Sequence, residues 1–153
     1  MGSALKLCAG QTVFLDTAPF IYFFEENERY VECVSSLLDS ASRLNVQIVT
    51  SVITYIELLT LPERVGDLRL AAKYRDFLTN SEQVSIYPLN LGVADAAVRF
   101  RAKYGLKTPD AVQLGVAYVC GADWVITNDA NWEKISDMGI VLVDKLISNT
   151  LVA

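Results

Sequence analysis

Short apolar runs alternate along the chain with longer segments in which apolar residues recur every three or four positions. Short runs of this kind predict buried strands, and the longer pattern predicts amphipathic helices. The predicted strands span residues 12–15, 46–49, 84–87, 124–127 and 140–143. Strands that are apolar throughout and alternate with helices are typical of a parallel sheet covered on both faces. We therefore predict an α/β fold, a three-layer α/β/α sandwich around a central, mainly parallel five-stranded sheet.

Polar residues and prolines mark where the predicted helices begin and end. Ser51 is predicted to cap the helix after the second strand, and Pro62 to end that helix. Thr108 and Pro109 are of the types favoured at the N-cap and in the first turn of a later helix. The predicted helices span residues 20–24, 30–44, 52–61, 67–78, 93–104, 108–121 and 132–135.

The composition indicates one domain. The chain has 153 residues, 52% of them apolar, which is enough for a domain that buries about two-thirds of its unfolded surface. No repeat or linker divides it, so we expect a single domain over residues 1–153, with a core at about 12–143 and short extensions. No apolar run approaches the roughly 18 residues of a membrane span. Because no signal peptide is recognised either, we expect a cytoplasmic protein without a membrane partner.

The chain contains no histidine and only three scattered cysteines, Cys8, Cys33 and Cys120. Histidine-based acid-base catalysis, nucleophile-histidine triads and zinc sites that need histidine or four thiolates are therefore excluded. The remaining chemistry must use carboxylates, hydroxyls, lysines or a hard metal ion. A net charge of -5 argues against strong non-specific binding to nucleic acid, although basic residues can still cluster locally.

Four carboxylates fall where the predicted elements meet one edge of the sheet. Asp16 follows the first strand, and Asp129 lies two residues past the fourth. Glu57 falls within an apolar stripe of the third helix, and Asp110 begins the sixth. Each one has a structural explanation of its own. Asp16 and Asp129 are of the type that caps helices, Asp110 pairs favourably with a helix dipole, and Glu57 can reach water at a helix edge.

Considered together, these carboxylates predict a metal site. Ligands of parallel α/β sheets bind in the crevice beyond the carboxyl ends of the strands, where all four are expected to converge. Carboxylates about 4 to 6 Å apart cannot all ionise without a counter-charge, and a hard divalent cation with oxygen ligands supplies one. We therefore predict bound Mg²⁺ or Mn²⁺, with Asp123 outside the cluster. Such ions promote phosphodiester hydrolysis by polarising the phosphate and activating water.

The acidic blocks of the PIN-domain nucleases resemble, in the same order, four segments of the chain: VFLDTAPFIYFF, TSVITYIEL, GLKTPDAVQLGVAY and GADWVITNDANW. The resemblance covers residues 12 to about 143. The chain size and the LKTPDA segment are most similar to the VapC toxins of toxin-antitoxin pairs. The resemblance implies an RNA endonuclease with a PIN-like fold, whose metal is held by Asp16, Glu57, Asp110 and Asp129. It also implies a cognate antitoxin as partner, and we expect a homodimer.

The chain departs from the family pattern at two places. Gln113 stands where the family often has histidine, at a position that we interpret as structural. Asn131 and Trp132 stand where the family often has an Asp-Phe pair, so an outer carboxylate beside any second metal ion is missing.

The segment before Asp110 is a candidate RNA-binding surface. Four of the 13 basic residues fall within nine positions there, which is typical either of a phosphate-binding cluster or of a solvated helix face. Two hydroxyls beside the aspartates are candidates for orienting water or substrate, with local capping as the alternative. The basic cluster consists of Arg99, Arg101, Lys103 and Lys107. The candidate substrate-binding residues are Arg99, Arg101, Lys107, Thr17 and Thr127.

Two other functions are consistent with parts of the sequence. A non-catalytic PIN-fold module that binds RNA or protein is expected to have lost one of the four carboxylates, and none is lost. A phospho-acceptor or phosphatase domain using Asp16 needs a second acidic residue beside it and a lysine after the last strand. Thr17 and Ala18 fail the first requirement, and Lys145 meets the second only loosely. The ribonuclease therefore remains the leading interpretation.

Overall fold

The computed structural model describes residues 5–151, with side chains described as far as residue 147. Residues 1–4 and 152–153 of the predicted domain lie outside the described residues. Five strands are present: β1 (Thr12–Leu15), β2 (Gln47–Ser51), β3 (Val84–Tyr87), β4 (Trp124–Thr127) and β5 (Ile140–Leu142). They form one sheet in the order β3-β2-β1-β4-β5, and every neighbouring pair is parallel. The predicted parallel sheet is confirmed.

Helices cover both faces of this sheet. They are α1 (Thr17–Phe24), α2 (Val31–Arg43), α3 (Val52–Val65), α4 (Leu68–Asn80), α5 (Leu91–Tyr104), α6 (Thr108–Val119) and α7 (Val143–Leu151), with a 3-10 helix at Ala130–Lys134. In the central strand, Val13 and Leu15 belong to one buried core, to which α1 to α4 also contribute side chains. Phe14 belongs to the other core, which α5 and α6 supply. The alternation along β1 thus produces the predicted three layers.

Several of the predicted boundaries differ from those in the structure. Helix α3 continues through Pro62 to Val65 and ends where Gly66 adopts a left-handed conformation, φ 76°. Pro62 is buried, and the packing of α3 against α4 offsets the one backbone hydrogen bond that a proline inside a helix removes. Helix α6 spans Thr108–Val119, and its N-cap is Lys107 instead of the predicted Thr108.

Helix α7 was not predicted at all. Strand β5 ends at Leu142, and Val143, expected as its last residue, begins the helix instead. A single apolar run spans this junction, so periodicity alone does not separate the two elements. Among residues 5–151, none of the helices combines the length and the apolar character needed to cross a membrane.

Close contact between α5 and α6 sets the position of α6 over the sheet. A Cβ atom on Gly115 would lie 2.9 Å from the Val93 carbonyl oxygen and 3.2 Å from the Ala97 nitrogen, both backbone atoms. Any larger residue at position 115 would push the two helices apart. Because α6 carries Asp110 and Gln113, this contact also positions their side chains at the edge of the sheet.

Candidate metal centre

Asp16 is the most firmly held of the predicted site residues. It follows β1 and caps α1, with its Oδ1 accepting from the backbone N–H of Thr17 at 2.8 Å. The same Oδ1 accepts from Gln113 Nε2 at 3.0 Å, and Oδ2 accepts from Thr127 Oγ1 at 2.7 Å. Burial raises the pKa of Asp16, the three donors lower it, and the nearby charge of Asp110 raises it further. The capping role predicted for Asp16 is confirmed.

Glu57 lies on the exposed side of α3. The expectation that it sits within an apolar, core-facing stripe is wrong, since the buried face of α3 consists of Thr54, Leu58, Leu59 and Pro62. Its carboxylate is nevertheless close to the other acidic groups. Desolvation and the charge of Asp16 raise the pKa of Glu57, and Asp110 adds to the increase, while the Thr17 hydroxyl opposes it.

Asp110 lies half-buried in the first turn of α6, where the helix dipole favours a negative charge. Burial and the neighbouring charge of Asp129 nevertheless raise the pKa of Asp110, and Lys107 lowers it. Asp129 caps the 3-10 helix, with its Oδ1 accepting from the backbone N–H of Asn131 at 2.9 Å. Each of the four predicted carboxylates therefore interacts electrostatically with at least one other member of the group.

The donor chemistry of this group fits a hard divalent cation. No ion pair within the described part of the chain involves any of the four carboxylates, so their mutual repulsion lacks a strong positive partner. Among the described residues, no three acidic, cysteine or histidine side chains gather closely enough to hold a metal ion by themselves. Mg²⁺ is commonly bound by only one or two carboxylates, with waters and substrate phosphates completing its shell. Convergence of all four on one cation stays a prediction.

A layer of buried polar side chains lies beneath Asp16. Gln113 is 1% exposed, and its Nε2 donates to Thr54 Oγ1 at 2.8 Å as well as to Asp16. Its Oε1 accepts from the hydroxyl of Ser51, which also caps α3 as predicted. Sequence reasoning treated Gln113 as structural and missed Thr54. A signal was available, because Gln113 is a polar residue in an apolar helix and lies three positions after Asp110.

The two predicted hydroxyls are engaged within the protein. Thr127 donates to Asp16, and Thr17 Oγ1 lies 3.1 Å from Thr54 Oγ1. Both residues are buried, at 0% and 7% exposure respectively. Their described partners are therefore protein groups around Asp16, and a direct role toward substrate stays a prediction.

The predicted basic cluster separates into residues with different partners. Arg99 packs over the Tyr118 ring, 5.6 Å from its centroid, and Arg101 Nε donates to the Leu106 carbonyl oxygen at 3.0 Å. Lys103 forms an ion pair with Asp137 at 3.2 Å. Lys107 acts on a site carboxylate, since its charge lowers the pKa of Asp110. Lys107 is therefore the member of the basic cluster whose charge reaches the carboxylates.

Comparison with known proteins supports the same fold. Residues 13–138 match the family model of the PIN domain. A comparison with curated proteins finds no match. The structure is similar to VapBC2 from Rickettsia felis bound to a promoter DNA fragment, with 15% identity, a TM-score of 0.70 and coverage of 86% of this chain and 98% of that one.

Two further structures have the same architecture. DNA-bound VapBC from Salmonella typhimurium gives 21% identity and a TM-score of 0.69, with 87% of this chain and 98% of that chain covered. VapC20 from Mycobacterium tuberculosis is described as a sarcin-ricin loop cleaving toxin. It gives 17% identity and a TM-score of 0.65, with 79% of this chain and 92% of that chain covered. The family model spans most of the sequence, and the parallel sheet agrees with these structures. The chain belongs to the PIN domain family.

Proposed function

We propose that this protein is a Mg²⁺- or Mn²⁺-dependent endoribonuclease that acts as the toxin of a toxin-antitoxin pair. The observation that carries the proposal is the group of mutually repelling carboxylates at the carboxyl edge of a parallel sheet, where burial and neighbouring charge raise the pKa of Asp16, Glu57 and Asp110. Membership of the PIN domain family supports a nuclease. The likeness to a structure described as a sarcin-ricin loop cleaving toxin supports RNA as substrate.

The residues have distinct roles in this proposal. Asp16, Glu57, Asp110 and Asp129 would hold the cation, and a divalent ion bound there polarises a phosphate and activates water. Thr127 and the backbone N–H of Thr17 hold Asp16 in one orientation. The dipole of α6 stabilises the negative charge of Asp110 at its first turn.

RNA binding is assigned to the basic residues near α6 and to the hydroxyls around Asp16. Lys107 has the strongest support, because it is exposed and its charge acts on Asp110. Arg99 and Arg101 are also exposed, although their guanidinium groups already have partners within the protein. Together with Thr17 and Thr127, these residues complete the proposed substrate-binding set.

The proposed partners are an antitoxin protein and a second copy of this chain, in the cytoplasm. The likeness to structures of VapBC complexes supports the antitoxin. The outer faces of the helices also expose large apolar side chains, among them Val65 at 66%, Leu68 at 69% and Leu91 at 83%. Exposed apolar surface of this kind is commonly covered by a protein partner. Light scattering on the purified chain, alone and with the antitoxin, tests both assignments.

A non-catalytic RNA- or protein-binding module is the second candidate. It is favoured by the observation that no three candidate ligands among the described residues gather around one point. Such a module would bind a partner without turnover, and replacing Asp16 would leave its function unchanged.

Cleavage of a single-stranded or loop-containing RNA by the purified chain tests the proposal. Cleavage is expected with Mg²⁺ or Mn²⁺, and EDTA and the variant Asp16→Asn are each expected to abolish it. Because the chain has no histidine to deprotonate a 2'-hydroxyl, attack by water on phosphorus is expected to leave 3'-hydroxyl and 5'-phosphate ends. Cleavage that resists EDTA, or 2',3'-cyclic phosphate ends, would overturn the proposal.

A further inference from the structure

A single buried amide lies beneath the carboxylates. Gln113 and Asp110 are three residues apart on α6, so their side chains leave the same face of the helix. The Nε2 atom of Gln113 donates to Asp16 Oδ1 at 3.0 Å and to Thr54 Oγ1 at 2.8 Å. It is also 3.5 Å from Thr17 Oγ1. Each of the two amide hydrogens therefore has a close acceptor, and one of these acceptors is a site carboxylate.

The orientation of this amide is fixed from its other end. Ser51 Oγ accepts from the backbone N–H of Ile53 at 3.0 Å, so the Ser51 hydroxyl proton is available to Gln113 Oε1. Turning the amide over would place its carbonyl oxygen against the Asp16 carboxylate, which when ionised can only accept hydrogen bonds. The helix cap of α3 thus selects the one orientation in which Gln113 donates to Asp16.

The Gln113 amide is also held by Thr54. Because Thr54 Oγ1 accepts from Gln113, its own proton is available to Thr17 Oγ1, 3.1 Å away. Gln113, Thr54 and Thr17 are all buried, so these hydrogen bonds form inside the protein and fix the amide in place.

We propose that Gln113 is a positioning residue, whose amide holds the Asp16 carboxylate in the orientation in which it faces the cation. This inference rests on the proposed function, because it gives Gln113 a role towards the metal. Residues that hold metal ligands in place typically change metal affinity ten- to a hundredfold when they are removed. Replacing Gln113 is therefore expected to weaken metal binding as well as to lower the stability of the fold.

The test is the dissociation constant for Mn²⁺, measured by calorimetry on the full chain. Gln113→Leu removes the amide, and Thr50→Val is its matched control. Thr50 is also fully buried and donates to the Leu15 carbonyl oxygen at 2.8 Å, so its hydrogen bond is separate from those of Gln113. Both variants are expected to lower the melting temperature. Only Gln113→Leu should weaken Mn²⁺ binding, by about tenfold or more, with a change below about twofold for Thr50→Val.

An unchanged dissociation constant in Gln113→Leu, or equal weakening in both variants, would overturn the inference. In either case Mn²⁺ binding by the wild type would leave the proposed function standing. Absence of Mn²⁺ binding by the wild type would overturn both. If Gln113→Leu does not fold, Thr54→Val decides the matter. This variant removes the acceptor of the second amide hydrogen of Gln113, so wild-type affinity in Thr54→Val would also contradict the account.

Discussion

Two aspartates at opposite edges of the sheet show how differently the same side chain is used. Asp123 lies just before β4 at the amino edge, is exposed, and accepts from the backbone N–H of Thr12 at 2.9 Å. Asp16 lies just after β1 at the carboxyl edge, receives three hydrogen bonds, and has other carboxylates as neighbours. The prediction that Asp123 lies outside the cluster is confirmed.

The difference comes from the topology. In a parallel sheet all strands end at one edge, so residues that follow different strands, and the starts of the helices after them, meet there. Asp16, Glu57 and Asp110 are distant in sequence, but this topology brings them within electrostatic reach of one another. Asp123 is a local link between two strands, whereas the carboxyl edge concentrates negative charge that a cation can stabilise.

The largest effect is expected for catalysis. Asp16→Asn should reduce RNA cleavage by more than about a hundredfold, because even residues that only support metal ligands contribute ten- to a hundredfold. Asp123→Asn makes the same chemical change at the other edge and should leave cleavage unchanged, at a cost of about 0.5–1.5 kcal/mol for the weakened hydrogen bond to Thr12. Initial rates of cleavage and urea unfolding measure these quantities. Equal loss of activity in both variants would remove the distinction between the two edges.

The next effect is linkage between metal binding and stability. Mg²⁺ or Mn²⁺ at a hundredfold excess over its dissociation constant should raise the free energy of unfolding of the wild type by about 2.7 kcal/mol, because only the folded chain gathers the ligands. Asp123→Asn should keep this stabilisation, and Asp16→Asn should lose it. Urea unfolding with and without the ion measures the difference. Stabilisation of all three proteins by the same amount would place the ion elsewhere.

A smaller effect is expected from removing one charge from the crowded edge. Asp110→Asn should leave folding intact or raise the melting temperature of the metal-free protein, by about 2–4 °C for each kcal/mol of repulsion relieved, while cleavage is lost. Thermal unfolding monitored by circular dichroism checks this. An unfolded or strongly destabilised variant would show that the main role of Asp110 is to stabilise α6 through its interaction with the helix dipole.

The pH dependence of the same variant sharpens the prediction. Folding raises the pKa of Asp110, so between the unfolded and folded pKa values the folded chain holds the proton more tightly. The stability contributed by this group is therefore present at low pH and is lost as the pH rises from about 4 towards the folded pKa. The stability advantage of Asp110→Asn over the wild type should grow over the same window. Urea unfolding of both proteins in EDTA across that pH range measures this difference. A difference in the free energy of unfolding that did not change with pH would contradict the prediction.

The smallest effect concerns two lysines near α6. The charge of Lys107 lowers the pKa of Asp110, whereas Lys103 forms an ion pair with Asp137. Lys107→Ala should weaken RNA binding and reduce the slope of log affinity against log salt by about one, and Lys103→Ala should change the slope less. Binding to an RNA oligonucleotide at several salt concentrations separates them. Equal slopes in both variants and the wild type would show that Lys107 is a solvent-exposed residue that does not contact RNA phosphates.

The sequence predicted the sheet and both aspartate caps because these features depend on local patterns. Apolar runs specify buried strands, and Asp16 and Asp129 hydrogen-bond within a few residues of their own position. The extent of α3 was not predictable in the same way, because tertiary packing decides whether a helix continues through Pro62. The single domain remains a prediction.

Only part of the candidate site could be found from sequence. The acidic residues follow from their positions beside predicted elements, but the partners of a buried amide depend on which helix packs above which strand. Gln113 meets Asp16 at a separation of 97 residues. Likewise, the exposure of Glu57 depends on which face of α3 packs against the core. The apolar residues on either side of Glu57 in the sequence wrongly predicted that it lies on the core-facing side.

Anomalous scattering from a crystal grown with Mn²⁺ tests the central claim most directly. The account predicts a manganese peak at the carboxyl edge of the sheet, within coordination distance of an oxygen of Asp16 and of at least one more carboxylate among Glu57, Asp110 and Asp129. A peak at Asp123, or none near Asp16 at a Mn²⁺ concentration that supports RNA cleavage, would contradict it.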